Sequence, residues 1–323
     1  MIQSHGDIKI CVISVWFGQW PSYFPYFLKT CVSNKFIDWI IVSDQEIQGG
    51  ASENLSFIKM TKQSFVETAS KKLGFDINLK SPYKLCDFKP AFGKIFEDLL
   101  SPYQYWGYCD IDLVFGDIKK HFDILMDEEP DIISGYHNFM AGPFSLYHNS
   151  PAINNLFRDC TDHQQILQYP VHRAFDENIP RKIPLKRKIY YRILYLVRLM
   201  TIGPRYHLCI PEVRYNFQWY IKKRISHKSF PQDMTELVYK AAHEKSIKAI
   251  FSDLIRSDRA FRRQGQKYWA ISWQDGKLTD NKTGEDLCAF HFIDSKDKPG
   301  FVITPCAVDA ERFTVTEKKI ECE

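Results

Sequence analysis

Two apolar runs near the start of the chain, Ile8 to Val15 and Ile37 to Val42, bracket a helical pattern over Ser22 to Val32, and this opening most narrows what the chain can become. Ile8 to Val15 alternates and then runs apolar, and both segments read as buried strands, as in parallel sheets covered by helices. A right-handed crossover then joins them. Further strands are expected at Asn54 to Met60, in an aromatic-rich stretch from Tyr105 that runs into Asp110 and Asp112, at Asp131 to Ser134 and at Gly142 to Tyr147. Helices are expected at Lys62 to Leu73, from about Ala91 to Leu100, and over Ala152 to Cys160 behind Ser150-Pro151. Tyr268 to Trp273 and Leu287 to Ile293, with turns at Asp275-Gly276 and Lys282-Thr283-Gly284, read as a small antiparallel meander. The expected class is α/β, a mixed and mostly parallel sheet flanked by helices, with a basic helical insertion and a small C-terminal β meander.

The chain has 323 residues, enough for one large domain or one domain with an extension. Net charge is +4, and no nucleic-acid motif occurs, so a nucleic-acid partner is not expected. Nine scattered cysteines, without a Cys-x-x-Cys pair, point to reduced thiols in a cytoplasmic setting and away from zinc. The polar segment Met1 to Lys9 and the interrupted apolar stretch behind it do not read as a signal peptide, and no run reaches membrane-spanning length.

The chemistry concentrates in Tyr105-Trp106-Gly107-Tyr108-Cys109-Asp110-Ile111-Asp112. In extended chain, residues two apart point the same way, which lets Asp110 and Asp112 reach one cation while Ile111 packs on the other side. Hard oxygen ligands suit Mn²⁺ or Mg²⁺. Such an ion can bridge the phosphates of a nucleotide diphosphate and neutralise a leaving group. Placement after an apolar strand favours a ligand site, since open α/β sheets bind at the carboxyl ends of strands. The plain alternative is a solvated strand end.

The order of these segments resembles the GT-A (Rossmann-like) fold of nucleotide-sugar glycosyltransferases. Met140-Ala141-Gly142-Pro143-Phe144-Ser145-Leu146-Tyr147-His148-Asn149, Phe175-Asp176-Glu177-Asn178 and the stretch His291-Phe292-Ile293-Asp294-Ser295-Lys296-Asp297-Lys298-Pro299 are similar to motifs of the group that includes glycogenin and the bacterial lipooligosaccharide galactosyltransferases. Glu177 stands where that group usually has Gln, and Pro143 interrupts its usual run. Tyr83 to Asp117 looks closer to glycosyltransferase-like proteins of bacterial polysaccharide biosynthesis. The resemblance implies three regions: a nucleotide-sugar-binding core over 1–178, a basic helical acceptor or membrane-proximal region over 179–265, and a segment completing the metal and diphosphate site over 266–323. It also implies a hexosyltransferase taking a UDP-sugar as donor and a bacterial surface glycan, capsule or lipopolysaccharide, as acceptor.

Within that frame His291 is expected as the third metal ligand, with Lys296 and Lys298 meeting the diphosphate. Asp44 would touch the base or ribose, with Trp16 and Phe17 walling the base; equally, Asp44 caps a turn and the aromatics are core. Lys84, Asp87 and Lys89 precede a helix and would contact phosphate or donor sugar, or else simply form the helix entry. Asp176 and Glu177 are the expected catalytic carboxylates, serving a retaining or an inverting transfer. His137 and His172 are secondary. Arg181, Lys182, Lys186, Arg187, Lys188, Arg192 and Arg198 surround Ile189, Ile193, Leu196, Val197 and Met200, an amphipathic helix that docks on anionic lipid near a lipid-linked acceptor or packs on the core. Two other functions fit the same residues: a nucleotide-sugar hydrolase or phosphotransferase, and a non-catalytic glycan-binding scaffold.

Overall fold

A computed structural model of the chain describes residues 8–46, 52–177, 233–266, 268–305 and 310–322. Its centre is a seven-stranded sheet in the order β3 (Leu55–Lys59), β2 (Ile37–Ser43), β1 (Ile10–Trp16), β4 (Tyr105–Cys109), β7 (Phe144–His148), β6 (Ile132–Ser134), β8 (Ala249–Phe251). β1 pairs in parallel with β2 and β4, and β6 with β8, while β7 runs antiparallel to both its neighbours. The mostly parallel α/β class expected from the sequence is therefore what forms. Alternate residues of each central strand enter different cores: Ile10 and Val12 of β1 enter one, Cys11 and Ile13 the other. Burial on both faces explains why these strands are mostly apolar.

The helix Lys62–Leu73 has the bounds its sequence predicts. The Thr61 hydroxyl accepts from Ser64 N–H at its start, and Gly74, at φ +84°, ends it in the left-handed conformation. The helix expected from Ala91 differs: a 3₁₀ run over Pro82–Ala91 leads into two single turns, Phe92–Ile95 and Glu97–Leu100. Pro90 supplies no N–H for an α-helical ladder, and the run instead turns the buried side chains of Lys84, Asp87 and Lys89 inward.

After β4 the chain leaves the large sheet. β5 (Leu113–Phe115) pairs with β13 (Ala289–His291), which pairs in turn with β9 (Ile255–Ser257), giving a second sheet of three strands. A third sheet has the order β12 (Asp286–Leu287), β11 (Lys277–Asp280), β10 (Ala270–Gln274), β15 (Arg312–Thr316), β16 (Lys319–Cys322), β14 (Val302–Ile303). It grips the helix Phe24–Ser33, where Tyr26 donates its hydroxyl to Thr304 O at 2.8 Å and packs edge-on against Phe313.

The single strand expected over Leu287 to Ile293 is thus two strands in two sheets, parted at Cys288, whose carbonyl accepts from Gly116 N–H. β8 and β9 join the seven- and three-stranded sheets. The basic stretch over 181–200 lies outside the described residues. Among the described residues, no helix is long and apolar enough to cross a membrane.

Gly107 of β4 is required by close packing: a Cβ there would lie 2.4 Å from Leu146 Cδ2 and 2.6 Å from Ser145 O. Overpacking of this kind costs about 1–3 kcal/mol. Gly107→Ala should lower the unfolding free energy by that amount in urea denaturation.

Candidate active site

Asp110 follows the last residue of β4, and the chain bends through Ile111 and Asp112 before β5 begins. The extended geometry expected from the sequence is not adopted. The carboxylates converge because the bend carries the chain from one sheet to another while Ile111 anchors in the core. Antiparallel pairing of β13 with β5 sets His291 opposite Leu113, beside Asp112. Ligand atoms of Asp110, Asp112 and His291 all lie within 4.8 Å of one another.

Charge at this cluster is compensated from two sides. Lys89 Nζ donates to Asp110 Oδ1 at 2.6 Å and to Gly142 O at 2.7 Å, and lies 3.6 Å from Asp176 Oδ2. Lys296 donates to Asp112 Oδ2. His291 Nε2 lies 3.1 Å from the same oxygen, and both buried ring nitrogens lack an assigned hydrogen-bond partner. Burial alone would raise the Asp112 carboxyl, but His291 and Lys296 outweigh it and hold it well below its ordinary range. Burial opposes the charged form of His291, yet the Asp112 carboxylate keeps its ionisation above the usual value. Two carboxylates with a buried imidazole free of hydrogen bonds form a donor set that fits Mn²⁺ or Mg²⁺.

Asp176 and Glu177 stand across Lys89 from Asp110, brought close by Gly142. A Cβ at Gly142 would lie 2.5 Å from Glu177 Oε1 and 2.6 Å from Asp176 Oδ2. Thr235, in the first turn of the helix Met234–His243, ties this edge together: its hydroxyl donates to Glu177 O and accepts from Met140 N–H. Burial first, then Asp176, pushes the Glu177 carboxyl up to about 7, against the opposing pull of Lys89.

Lys84 and Asp87 have no exposed surface and face each other at 2.6 Å, with Lys84 also bonded to Ile166 O at 2.7 Å. Asp87 accepts from Arg173 N–H and Phe175 N–H. Between those donors Ala174 sits at φ +56°, a left-handed conformation that costs a non-glycine residue about 1–2 kcal/mol. Its N–H donates to His172 Nε2 at 3.2 Å. Asp87, His172 and Asp176 form a second grouping with metal-like spacing, but these bonds occupy both oxygens of Asp87.

Asp44 lies at the end of β2 and accepts from Gly18 N–H at 2.9 Å; Gly18 has φ +102°. Burial would raise the Asp44 carboxyl, but Gly18 N–H and the Gln45 amide hold it below its ordinary value. Phe17 is buried edge-on against Phe65, whereas Trp16 is half-buried and donates to Gln19 O. Lys298 is exposed, on the turn after Lys296. His137 pairs with Asp253 near the mouth of a cavity of about 680 Å³ that Glu177, His291, Tyr136, Thr235 and Arg259 also line. Sequence reading had no signal for Thr235 or for the strained Ala174, although Asp233 and Glu236 spell the start of Thr235's helix.

The fold and this acidic cleft define an α/β protein with a candidate divalent-cation site at the carboxyl end of the central strand β4. Residues 12–196 match a family of unknown function (DUF6625), and the chain belongs to that family. No curated protein matches it. Among solved structures it is similar to the galactosyltransferase LgtC in complex with donor and acceptor sugar analogs, at 13% identity over 49% of this chain and 66% of LgtC, with a TM-score of 0.26. It is also similar to the glycosyltransferase GlyE of Streptococcus pneumoniae TIGR4, at 12% identity over 77% of this chain and 68% of GlyE, with a TM-score of 0.28.

Removing one partner of a buried ion pair leaves an uncompensated charge and costs about 3–5 kcal/mol. Lys84→Met should destabilise the fold by that amount in chemical denaturation. A second expectation concerns Glu177, whose ionisation is raised in the folded state. Its neutral form favours folding, so its stabilising contribution is complete below its ordinary value of 4.5 and is lost as pH rises through about 7. Glu177→Gln should therefore raise the urea midpoint relative to the wild type more at pH 8 than at pH 4.5.

Proposed function

We propose that the protein is a metal-dependent glycosyltransferase that moves a hexose from a nucleotide diphosphate sugar, a UDP-sugar, onto a bacterial surface glycan acceptor. The observation that carries this reading is the convergence of Asp110, Asp112 and His291 within 4.8 Å at the end of β4, with a lysine bonded to each carboxylate. These three side chains would hold Mn²⁺ or Mg²⁺. The bound ion would supply Lewis-acid neutralisation of the donor diphosphate.

Lys296, with Lys298 on the same turn, would add positive charge for the phosphates as point donors. Lys89 spans Asp110 and Asp176, so it links the cation site to the second pair of carboxylates. Glu177, ionising near neutrality, suits removal of the proton from the acceptor hydroxyl. Asp176, adjacent and buried, suits stabilisation of positive charge at the anomeric carbon. The neighbouring cavity has the size of a small-ligand site, and its polar and aromatic lining suits a sugar acceptor. UDP and the surface-glycan acceptor follow from the sequence resemblance, as does peripheral docking of the basic stretch on anionic membrane.

Binding to the native state at a hundredfold excess over Kd stabilises a protein by about 2.7 kcal/mol. Thermal denaturation with UDP, GDP, CDP and ADP, each with and without Mn²⁺, should show a manganese-dependent rise with UDP that Asp112→Asn abolishes. Asp110→Asn and Asp112→Asn should each reduce sugar transfer by at least about a hundredfold with the fold retained. Unchanged transfer in either variant would refute the assignment, and release of free sugar or sugar phosphate in place of a glycosidic product would mark a hydrolase or phosphotransferase.

A further inference from the structure

We propose that Asp87 is a positioning residue whose carboxylate, held in place by Lys84, fixes the turn Arg173-Ala174-Phe175 and so aims Asp176 and Glu177 into the cleft. The inference rests on the reading that those two carboxylates serve glycosyl transfer.

Asp87 spends its acceptor capacity on backbone. Oδ1 receives Arg173 N–H at 3.1 Å and Phe175 N–H at 2.9 Å, while Oδ2 receives Arg173 N–H at 2.8 Å and the Lys84 ammonium at 2.6 Å. With neither side chain exposed, no water competes for these bonds. The two backbone donors flank Ala174, the residue in the left-handed conformation at φ +56°. One carboxylate thus bridges the turn that the strained residue makes, and His172 takes the intervening N–H. Non-glycine strain of this kind persists only where surrounding structure over-determines it, and it gathers at functional sites.

The consequence appears one residue further on. Phe175 O accepts from Met234 N–H and Glu177 O from the Thr235 hydroxyl, so the turn and the helix Met234–His243 together fix Asp176 and Glu177 from both sides. Asp176, Lys89, Asp110 and His172 bear on Glu177, as do Arg259, Tyr83 and Tyr136, and where Glu177 stands among them depends on this turn. Lys84 anchors the clamp elsewhere in the core by donating to Ile166 O. Lys84 and Asp87 therefore act through backbone, away from any ligand.

The test compares Asp87→Asn with the charge-free pair Lys84→Met/Asp87→Asn, the pair serving where the single variant leaves Lys84 uncompensated and does not fold. Each is also made with Ala174→Gly, which removes the cost of the left-handed residue. Four quantities are read: kcat, KM for the donor, Mn²⁺ affinity, and the ¹³C titration of the Glu177 carboxyl. The expected result is a kcat about ten- to hundredfold lower, Mn²⁺ affinity within about twofold of the wild type, a Glu177 titration displaced from the wild-type value, and partial recovery of kcat and titration on adding Ala174→Gly. Folded variants with wild-type kcat and titration would overturn the proposal, as would a loss that Ala174→Gly leaves untouched. If the wild type transfers no sugar from any donor, the functional reading fails, and the Glu177 titration alone still decides the positioning.

Discussion

Four carboxylates, Asp110, Asp112, Asp176 and Glu177, crowd one cleft, and like charges held this way stay ionised only where cations balance them. Lys89 and Lys296 supply part of that balance through direct bonds to Asp110 and Asp112. Glu177, pushed up to about 7 by burial and by Asp176, absorbs the remainder. His291, buried beside Asp112 with both ring nitrogens lacking hydrogen bonds, adds a neutral-capable ligand where a divalent ion would complete the neutralisation. The electrostatic demand of the cleft and its chemical use are one property.

The scaffold delivers these groups from distant parts of the chain by a change of sheet. After β4 the backbone bends at Asp110 to Asp112 and enters the three-stranded sheet, where β13 returns from far along the sequence to set His291 in place. On the opposite wall, the Lys84 and Asp87 pair and the first turn of the helix Met234–His243 hold the segment that carries Asp176 and Glu177. Gly142 lets that wall approach closely enough for Lys89 to span both sides.

Much of this was legible before any coordinates. The apolar β1 and β2, burying both faces, announced a parallel sheet, and the helix Lys62–Leu73 carried its own cap residues. What was not legible was long-range. β8, β9 and β14 are two- or three-residue strands, too short to show a period, and Leu287 to Ile293 reads as one strand because nothing local marks a division between sheets. Asp110, Asp112 and His291 do meet, although the bend, and not the alternation of an extended strand, brings the carboxylates together. Lys84 and Asp87 read as phosphate contacts or as a helix entry because sequence does not reveal that each is the other's partner in the core. Lys89, only a few residues on, is the one of the three that reaches the cleft.

Manganese binding measured by electron paramagnetic resonance on the protein without nucleotide tests the central claim most directly. One equivalent of bound Mn²⁺ in the wild type, lost in both Asp112→Asn and His291→Ala while the circular dichroism spectrum is retained, is the predicted result. Binding that survives both substitutions would place the cation elsewhere and contradict the account.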